Sequence, residues 1–349
     1  MEPTGDFLLY GAYGYTGERI AREAANRGQR PILAGRDGER LESLARELDL
    51  PWSVFDLEDE RTVTEVVKPY PAVLHCAGPF THTAGPMARA CLEAGTHYLD
   101  ITGEADVFLQ MAGRDREARV AAVMLLPGVG FDVVPTDCLA SRLSEDLPEA
   151  ESLELAFRGD SGPSRGTALT MIEHLHEGGL VRRNGELRRV PIAWKTRDVD
   201  FGDGPETAVS IPWGDVVTAW YSTEIPNVTV YMAVPRGALR TMKILRWLRP
   251  LLHFRLVKDL HGRRVEARPP GPSEERLREG TTRVWGRVED REGSFREDRL
   301  EGPQAYRWTV LTALGAVERV LGGEAPPGFQ TPSRAFGSSF VEQLGETRP

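Results

Sequence analysis

The stretch YGAYGYTGERIA, residues 10–21, decides how this chain of 349 residues folds. Gly11, Gly14 and Gly17 recur at a spacing of three, with Tyr13 and Tyr15 on either side of the second glycine. Three absent side chains in seven positions mean that something approaches this backbone closely. Upstream, FLLY (residues 7–10) is a short apolar run suited to a buried parallel strand. Downstream, Ile20, Ala21, Ala24 and Ala25 lie at helical spacing, and Gly28 offers a C-terminal cap. Strand, glycine turn and helix in direct succession predict a dinucleotide-binding turn. The first glycine permits the tight turn, the second lets a pyrophosphate approach, and the third lets helix pack on strand. The phosphates would rest on free amides at the helix N-terminus, where Thr16 stands. The plain alternative is a tight turn in some other α/β domain.

The same alternation continues outward. RPILAGR (30–36), WSVFDLED (52–59), PAVLHCAGPF (71–80), THYLDITGE (96–104) and AAVMLLPGVGF (121–131) read as strands two to six. Helical segments separate them, among them DGERLESLARELD (37–49), with Leu41, Leu44, Ala45 and Leu48 on one face. The βαβ period predicts a doubly wound parallel sheet of the Rossmann type. Near residue 150 the pattern changes to longer strands, such as NVTVYMAVP (227–235), with fewer helices. We expect a Rossmann domain over 1–148 and an α+β domain with a mostly antiparallel sheet over 149–303. Residues 304–349 would hold a long amphipathic helix and a closing loop and helix.

Composition narrows the class. With 40% hydrophobic and 27% charged residues and a net charge of −9, the chain is that of a soluble protein rather than a nucleic-acid binder. It shows neither a signal peptide nor a membrane-spanning run, so a cytoplasmic protein is expected, most simply a homo-oligomer such as a dimer. The 3 cysteines, Cys76, Cys91 and Cys138, have no metal or redox spacing, and no metal site is expected. His174 and His176 lie two apart, without the spacing of a helical zinc pair. Only residues 235–268 depart from the average, with 10 basic residues against 2 acidic ones. Arginines there interleave with Leu, Trp and Phe, so peripheral lipid contact competes with packing on the second domain or at a dimer interface.

Strand ends carry the chemistry. Gly35 and Arg36 close strand two, where a glycine leaves room and an arginine accommodates the 2′-phosphate of NADP. Arg36 could equally be an ordinary solvated arginine, and Asp37 could blunt its charge. Cys76, Ala77, Gly78 and Pro79 would shape backbone beside the nicotinamide. His82, Tyr98 and Asp132 are candidates to supply a proton, although each could be a structural hydrogen bonder. No Tyr-x-x-x-Lys pair occurs, and 4 lysines leave few candidates for Schiff-base chemistry.

Taken together, GAYGYTG, AGR, CAGPF, ACLEAGTHYLDITGE and PGVGFDVVPTD resemble the saccharopine dehydrogenase-like oxidoreductases, which include saccharopine reductases and trans-acting enoyl reductases. The resemblance is dense over residues 7–140 and returns at 211–228 and 328–341. It implies that Gly11, Gly14 and Gly17 form the phosphate turn, and that Gly78-Pro79 forms the nicotinamide-side turn. It also implies that Asp132 lines the substrate cleft and that the C-terminal helices return to the nucleotide domain. Gly17 stands where the saccharopine reductases usually carry proline, which argues against saccharopine itself as substrate. The expected activity is NADP-dependent hydride transfer to a C=C or C=N bond of a small, possibly lipid-like molecule. A nucleotide-fold binding or lipid-surface module without turnover is the alternative.

Overall fold

The computed structural model describes residues 6–159, 178–235, 237, 239 and 271–348. His174, His176 and, apart from Pro235, Gly237 and Leu239, the basic stretch 235–268 lie outside the described residues. The chain divides into two units, Met1–Val134 with Tyr306–Phe340, and Pro135–Ala305 with Val341–Pro349.

The first unit is built on β1 (Leu8–Tyr10), β2 (Ile32–Gly35), β3 (Trp52–Val54), β4 (Ala72–His75), β5 (His97–Asp100) and β6 (Met124–Leu126). These pair in parallel in the order 3-2-1-4-5-6, that of the dinucleotide-binding fold. Burial explains the near-continuous apolar strands: Leu8, Leu9, Ile32, Leu33, Val73 and Leu74 are fully buried. Helices α1 (Tyr15–Asn26), α2 (Gly38–Leu48), α3 (Glu60–Val67), α4 (Phe80–Ala94), α5 (Ala105–Ala112) and α6 (Asp115–Val120) connect the strands. Helix α1 buries Ile20, Ala21 and Ala24, and closes as the sequence predicts. Gly28 adopts φ +77°, its amide bonds the Ala25 carbonyl at 3.0 Å, and the Gln29 amide bonds that of Ala24 at 2.9 Å.

The second unit carries β7 (Ser152–Gly159), β8 (Gly179–Arg183), β9 (Glu186–Val190), β10 (Thr196–Asp200), β11 (Pro205–Ile211), β12 (Asn227–Ala233), β13 (Thr281–Glu289) and β14 (Phe295–Pro303). The sheet runs β10-β11-β12-β7-β13-β14, with the β8–β9 hairpin joined to β12. Among the described residues only β12 and β7 pair in parallel in this sheet, which is mostly antiparallel. Asn184-Gly185 turns the β8–β9 hairpin with φ +50° and +80°, the positive pair a two-residue turn demands. Helices α7 (Val134–Asp146), α8 (Asp215–Thr223) and α9 (Glu274–Glu279) accompany this sheet along the chain.

Two features differ from the sequence reading. Helix α10 (Ala305–Leu321) buries Trp308, Val310, Leu311, Ala313, Leu314, Ala316 and Val317, so it is enclosed on most sides rather than amphipathic. After it, Gly328–Phe329 forms β15, a seventh parallel strand beside β6, followed by α11 (Pro332–Phe336). A two-residue strand leaves no periodicity to read; its position is fixed by the Asp115 carboxylate, which accepts the Phe329 amide at 2.9 Å.

Candidate functional site

The glycine turn is compressed. Gly11 has φ +81°, and a Cβ there would lie 2.8 Å from the Ala77 amide nitrogen. A Cβ on Gly17 would lie 2.2 Å from the Gly11 carbonyl oxygen. At Gly14 it would lie 3.2 Å from that same oxygen, with no other neighbour within 4 Å among the described residues, so the middle glycine is the least crowded of the three. Gly14 is also the N-cap of α1, and no side chain caps that end. Uncapped amides, a helix dipole and the less crowded backbone at Gly14 fit an anionic diphosphate. Tyr15, beside it, meets Tyr306 of α10 edge-on at 5.1 Å, with the Arg19 guanidinium 3.8 Å over its ring.

Beyond β2, Arg36 is exposed and forms no ion pair among the described residues. Asp37 does not neutralise it. Its carboxylate caps α2 by accepting the Arg40 amide at 3.2 Å. Gly35 has a use that sequence alone does not show: a Cβ there would lie 2.6 Å from the Tyr13 ring. The glycine admits a tyrosine, rather than leaving an empty space.

At the end of β4, Cys76, Ala77, Gly78 and Pro79 pass beside Gly11, with a cis Gly78–Pro79 peptide. Burial pushes the Cys76 thiol up, so it stays protonated near neutrality. The Thr83 hydroxyl donates to the Ala77 carbonyl at 2.7 Å and meets His75 Nε2 at 2.9 Å. Because Thr83 has given its proton to Ala77, His75 donates through Nε2 and its Nδ1 is bare. Burial drives His75 down to about 3, so this histidine is neutral.

The next strand end contributes Glu104. Its carboxylate accepts the Phe80 amide at 3.0 Å and the Thr81 amide at 2.8 Å, satisfying the first turn of α4. Asp132, after β6, lies against the adjacent backbone: a Cβ on Gly103 would lie 2.8 Å from its Oδ2. Burial, followed by the nearby Glu104 charge, raises Asp132 to about 7. The structure thus brings the glycine turn, the 76–79 loop, Glu104 and Asp132 into one continuous set of contacts.

His82 joins that set through its backbone, its amide donating to the Pro79 carbonyl at 3.2 Å, and the Tyr98 ring lies 6.3 Å from that of His75. Tyr98 is fully buried, and its hydroxyl donates to Asp100 Oδ2 at 2.6 Å. Asp100 Oδ1 in turn accepts the Thr102 and Gly128 amides, both at 2.9 Å, and burial raises its carboxyl to about 6. His82 is exposed on the first turn of α4. The helix begins at Phe80 and carries Pro86 in its interior. A proline at that position hides the helix start from a sequence reading.

In the second unit, a hollow of about 400 Å³ is lined by Phe201, Gly202, Arg283, Arg299 and neighbours on β14, remote in chemistry from the strand ends above. Arg283 there is already neutralised by Asp203 at 2.5 Å and Glu301 at 2.6 Å. Among the described residues, no cluster of His, Cys, Asp or Glu could hold a metal ion, and no helix is long and apolar enough to cross a membrane.

Known proteins share this arrangement. Residues 7–124 match the family model for the saccharopine dehydrogenase NADP binding domain. An Arabidopsis thaliana protein, named a probable mitochondrial saccharopine dehydrogenase-like oxidoreductase, is 32% identical over 98% of this chain and 94% of its own length. The trans-acting enoyl reductase of Mycobacterium tuberculosis is 34% identical over 146 residues, which span 38% of this chain and 34% of that protein. Among solved structures, apo saccharopine dehydrogenase (L-Glu forming) from Saccharomyces cerevisiae matches with a TM-score of 0.67 at 12% identity, covering 97% of this chain and 96% of that one, a likeness of fold. With a nucleotide-binding turn at its first strand and a relative matched along almost its whole length, this chain belongs to the saccharopine dehydrogenase-like oxidoreductases.

Proposed function

We propose that this oxidoreductase uses NADP to reduce a C=C or C=N bond, with Asp132 supplying the proton that accompanies the hydride. The observation that carries the reading is the Asp132 carboxyl, raised to about 7 and set against Gly103 beside Glu104. A general acid works best when its pKa is close to the working pH, and an ordinary aspartate is far too acidic. A reduced nicotinamide, when bound, supplies the hydride. The chain's own residues then have separate tasks. The Gly11–Gly14–Gly17 turn, with Tyr13, Tyr15 and Thr16 around it, receives the diphosphate. Gly35 and Arg36 face the adenosine end, and the 76–79 loop borders the nicotinamide end.

Glu104 acts as a positioning residue, since it holds the start of α4 while keeping negative charge near Asp132. Tyr98 positions Asp100. His82 is the second candidate for the proton, and we favour Asp132 because burial and the Glu104 charge raise its carboxyl to about 7 where it lies against Gly103. Of the two bond types we favour C=C, because trans-acting enoyl reductases are among the relatives matched over the nucleotide-binding part.

The test is NADPH oxidation with a panel of α,β-unsaturated acyl thioesters and imines. Asp132→Asn should bind NADPH normally and lose turnover by about 10²- to 10⁴-fold. Undiminished turnover in Asp132→Asn would remove this residue from the chemistry, and turnover of imines alone would exclude the C=C preference.

A further inference from the structure

We infer that Arg40 is a second arm of the cofactor-selecting site, meeting the same 2′-phosphate as Arg36. This rests on the proposed use of NADP.

The argument begins with Tyr13. Its ring lies against Gly35, where any side chain would collide with it at 2.6 Å. The Arg40 guanidinium sits 4.6 Å from the centroid of that ring, and its Nη2 donates to the Tyr13 carbonyl at 2.8 Å. One backbone carbonyl and one ring face therefore hold Arg40 beside the glycine turn. A guanidinium has five N–H donors, and this contact uses one.

Charge makes the second step. Several arginines of the same unit have carboxylate partners, among them Arg22 with Glu18 and Glu47, Arg27 with Glu23 and Glu318, Arg46 with Glu42 and Arg89 with Glu60, whereas Arg61 and Arg116, like the pair at issue, form no ion pair among the described residues. Arg36 and Arg40, both exposed, have none among the described residues. Of the two acids between them in the RDGER segment, Asp37 is turned to the Arg40 backbone amide, and Glu39, on the first turn of α2, forms no ion pair with either arginine among the described residues. Two guanidinium groups four positions apart, at the start of α2 and in no carboxylate ion pair among the described residues, suit a dianion better than a neutral hydroxyl pair. A phosphate monoester carries close to two negative charges near neutrality. The ribose of NADP bears such a group, and that of NAD does not.

Tyr13 adds pre-organisation. An arginine already held in place loses less side-chain freedom when a ligand arrives, so more of the interaction appears as affinity. A purely structural role for Arg40 would instead steady Tyr13 and the turn for either cofactor alike.

The experiment is a fluorescence or calorimetric titration of the whole protein and of Arg40→Ala and Arg40→Lys with NADPH, NADH, 2′,5′-ADP and 5′-AMP. Arg40→Ala should weaken NADPH and 2′,5′-ADP by about 10-fold or more, as expected for a lost charge-assisted hydrogen bond, and leave NADH and 5′-AMP unchanged. Arg40→Lys should recover part of the loss. Equal weakening of NADPH and NADH, or no weakening of either, overturns the inference. If the unaltered protein shows no preference for NADPH, the NADP reading fails as well. If it prefers NADPH and only Arg36→Ala abolishes that preference, the role of Arg40 alone is refuted.

Discussion

The Glu104 carboxylate accepts the Thr81 amide at 2.8 Å, tying the segment after β5 to the helix that follows β4. The same carboxylate is the charge that adds to the burial of Asp132. Replacing Glu104 with glutamine removes this charge while keeping one acceptor oxygen. The Asp132 carboxyl then becomes a stronger acid. A proton donor is active only while protonated, so the alkaline fall of the pH–rate profile should move to lower pH. A fall that stays in place, or moves to higher pH, would separate Glu104 from the protonation of Asp132.

Asp132 itself should leave a mark on stability. Its folded pKa of about 7 lies above the ordinary aspartate value, so between those two pH values the folded state holds more protons than the unfolded one. Stability from this group is therefore fully present below about pH 4 and is lost as pH rises through about 7. Asp132→Asn carries no such dependence. Melting temperatures measured from pH 4 to pH 8 should show the variant gaining on the unaltered protein as pH rises. A constant difference would contradict the raised pKa.

Tyr98→Phe separates positioning from catalysis. Removal of the hydroxyl leaves Asp100 Oδ2 without its 2.6 Å donor, at a cost of about 1–3 kcal/mol. Because the Asp100 carboxyl titrates near 6, the loss should be greater at pH 8, where it is ionised, than at pH 5, where it is protonated. Denaturant titrations at both pH values check this. Turnover per folded molecule should survive; a loss of several hundred-fold at intact stability would make Tyr98 the proton donor instead.

Gly17→Ala tests the turn. A methyl group 2.2 Å from the Gly11 carbonyl oxygen cannot be accommodated without moving α1 away from β1. Overpacking of this kind costs about 1–3 kcal/mol, and the displaced amides should lose affinity for both NADPH and NADH. A variant that melts and binds like the unaltered protein would show that the third glycine is not a packing requirement.

Much of the first unit was legible because its elements obey local rules. Apolar runs such as Phe7 to Leu9 mark buried strands, and Gly11, Gly14 and Gly17 mark the turn between strand and helix. What stayed hidden depends on distant partners. Gly35 belongs with Tyr13, twenty-two residues away in the chain, and Glu104 belongs with amides at 80 and 81. Neither contact has a period or a motif. Strand β15 is too short to announce itself, and α10 reads as amphipathic until the elements enclosing it are known. Arg36 is marked in the sequence by its position at the end of β2, whereas nothing in the sequence singles out Arg40, whose contacts with Tyr13 are made across the fold.

The most direct measurement of the central claim is a paired titration of the protein and of Arg36→Ala with NADPH and NADH. In the proposed reading the guanidinium of Arg36 pairs with a 2′-phosphate, while the glycine turn serves both dinucleotides. The unaltered protein should therefore prefer NADPH, and Arg36→Ala should weaken NADPH by about 10- to 150-fold with NADH almost unchanged. Equal or tighter binding of NADH by the unaltered protein, or equal weakening of both cofactors by the substitution, would contradict an NADP-dependent reductase selected at Arg36.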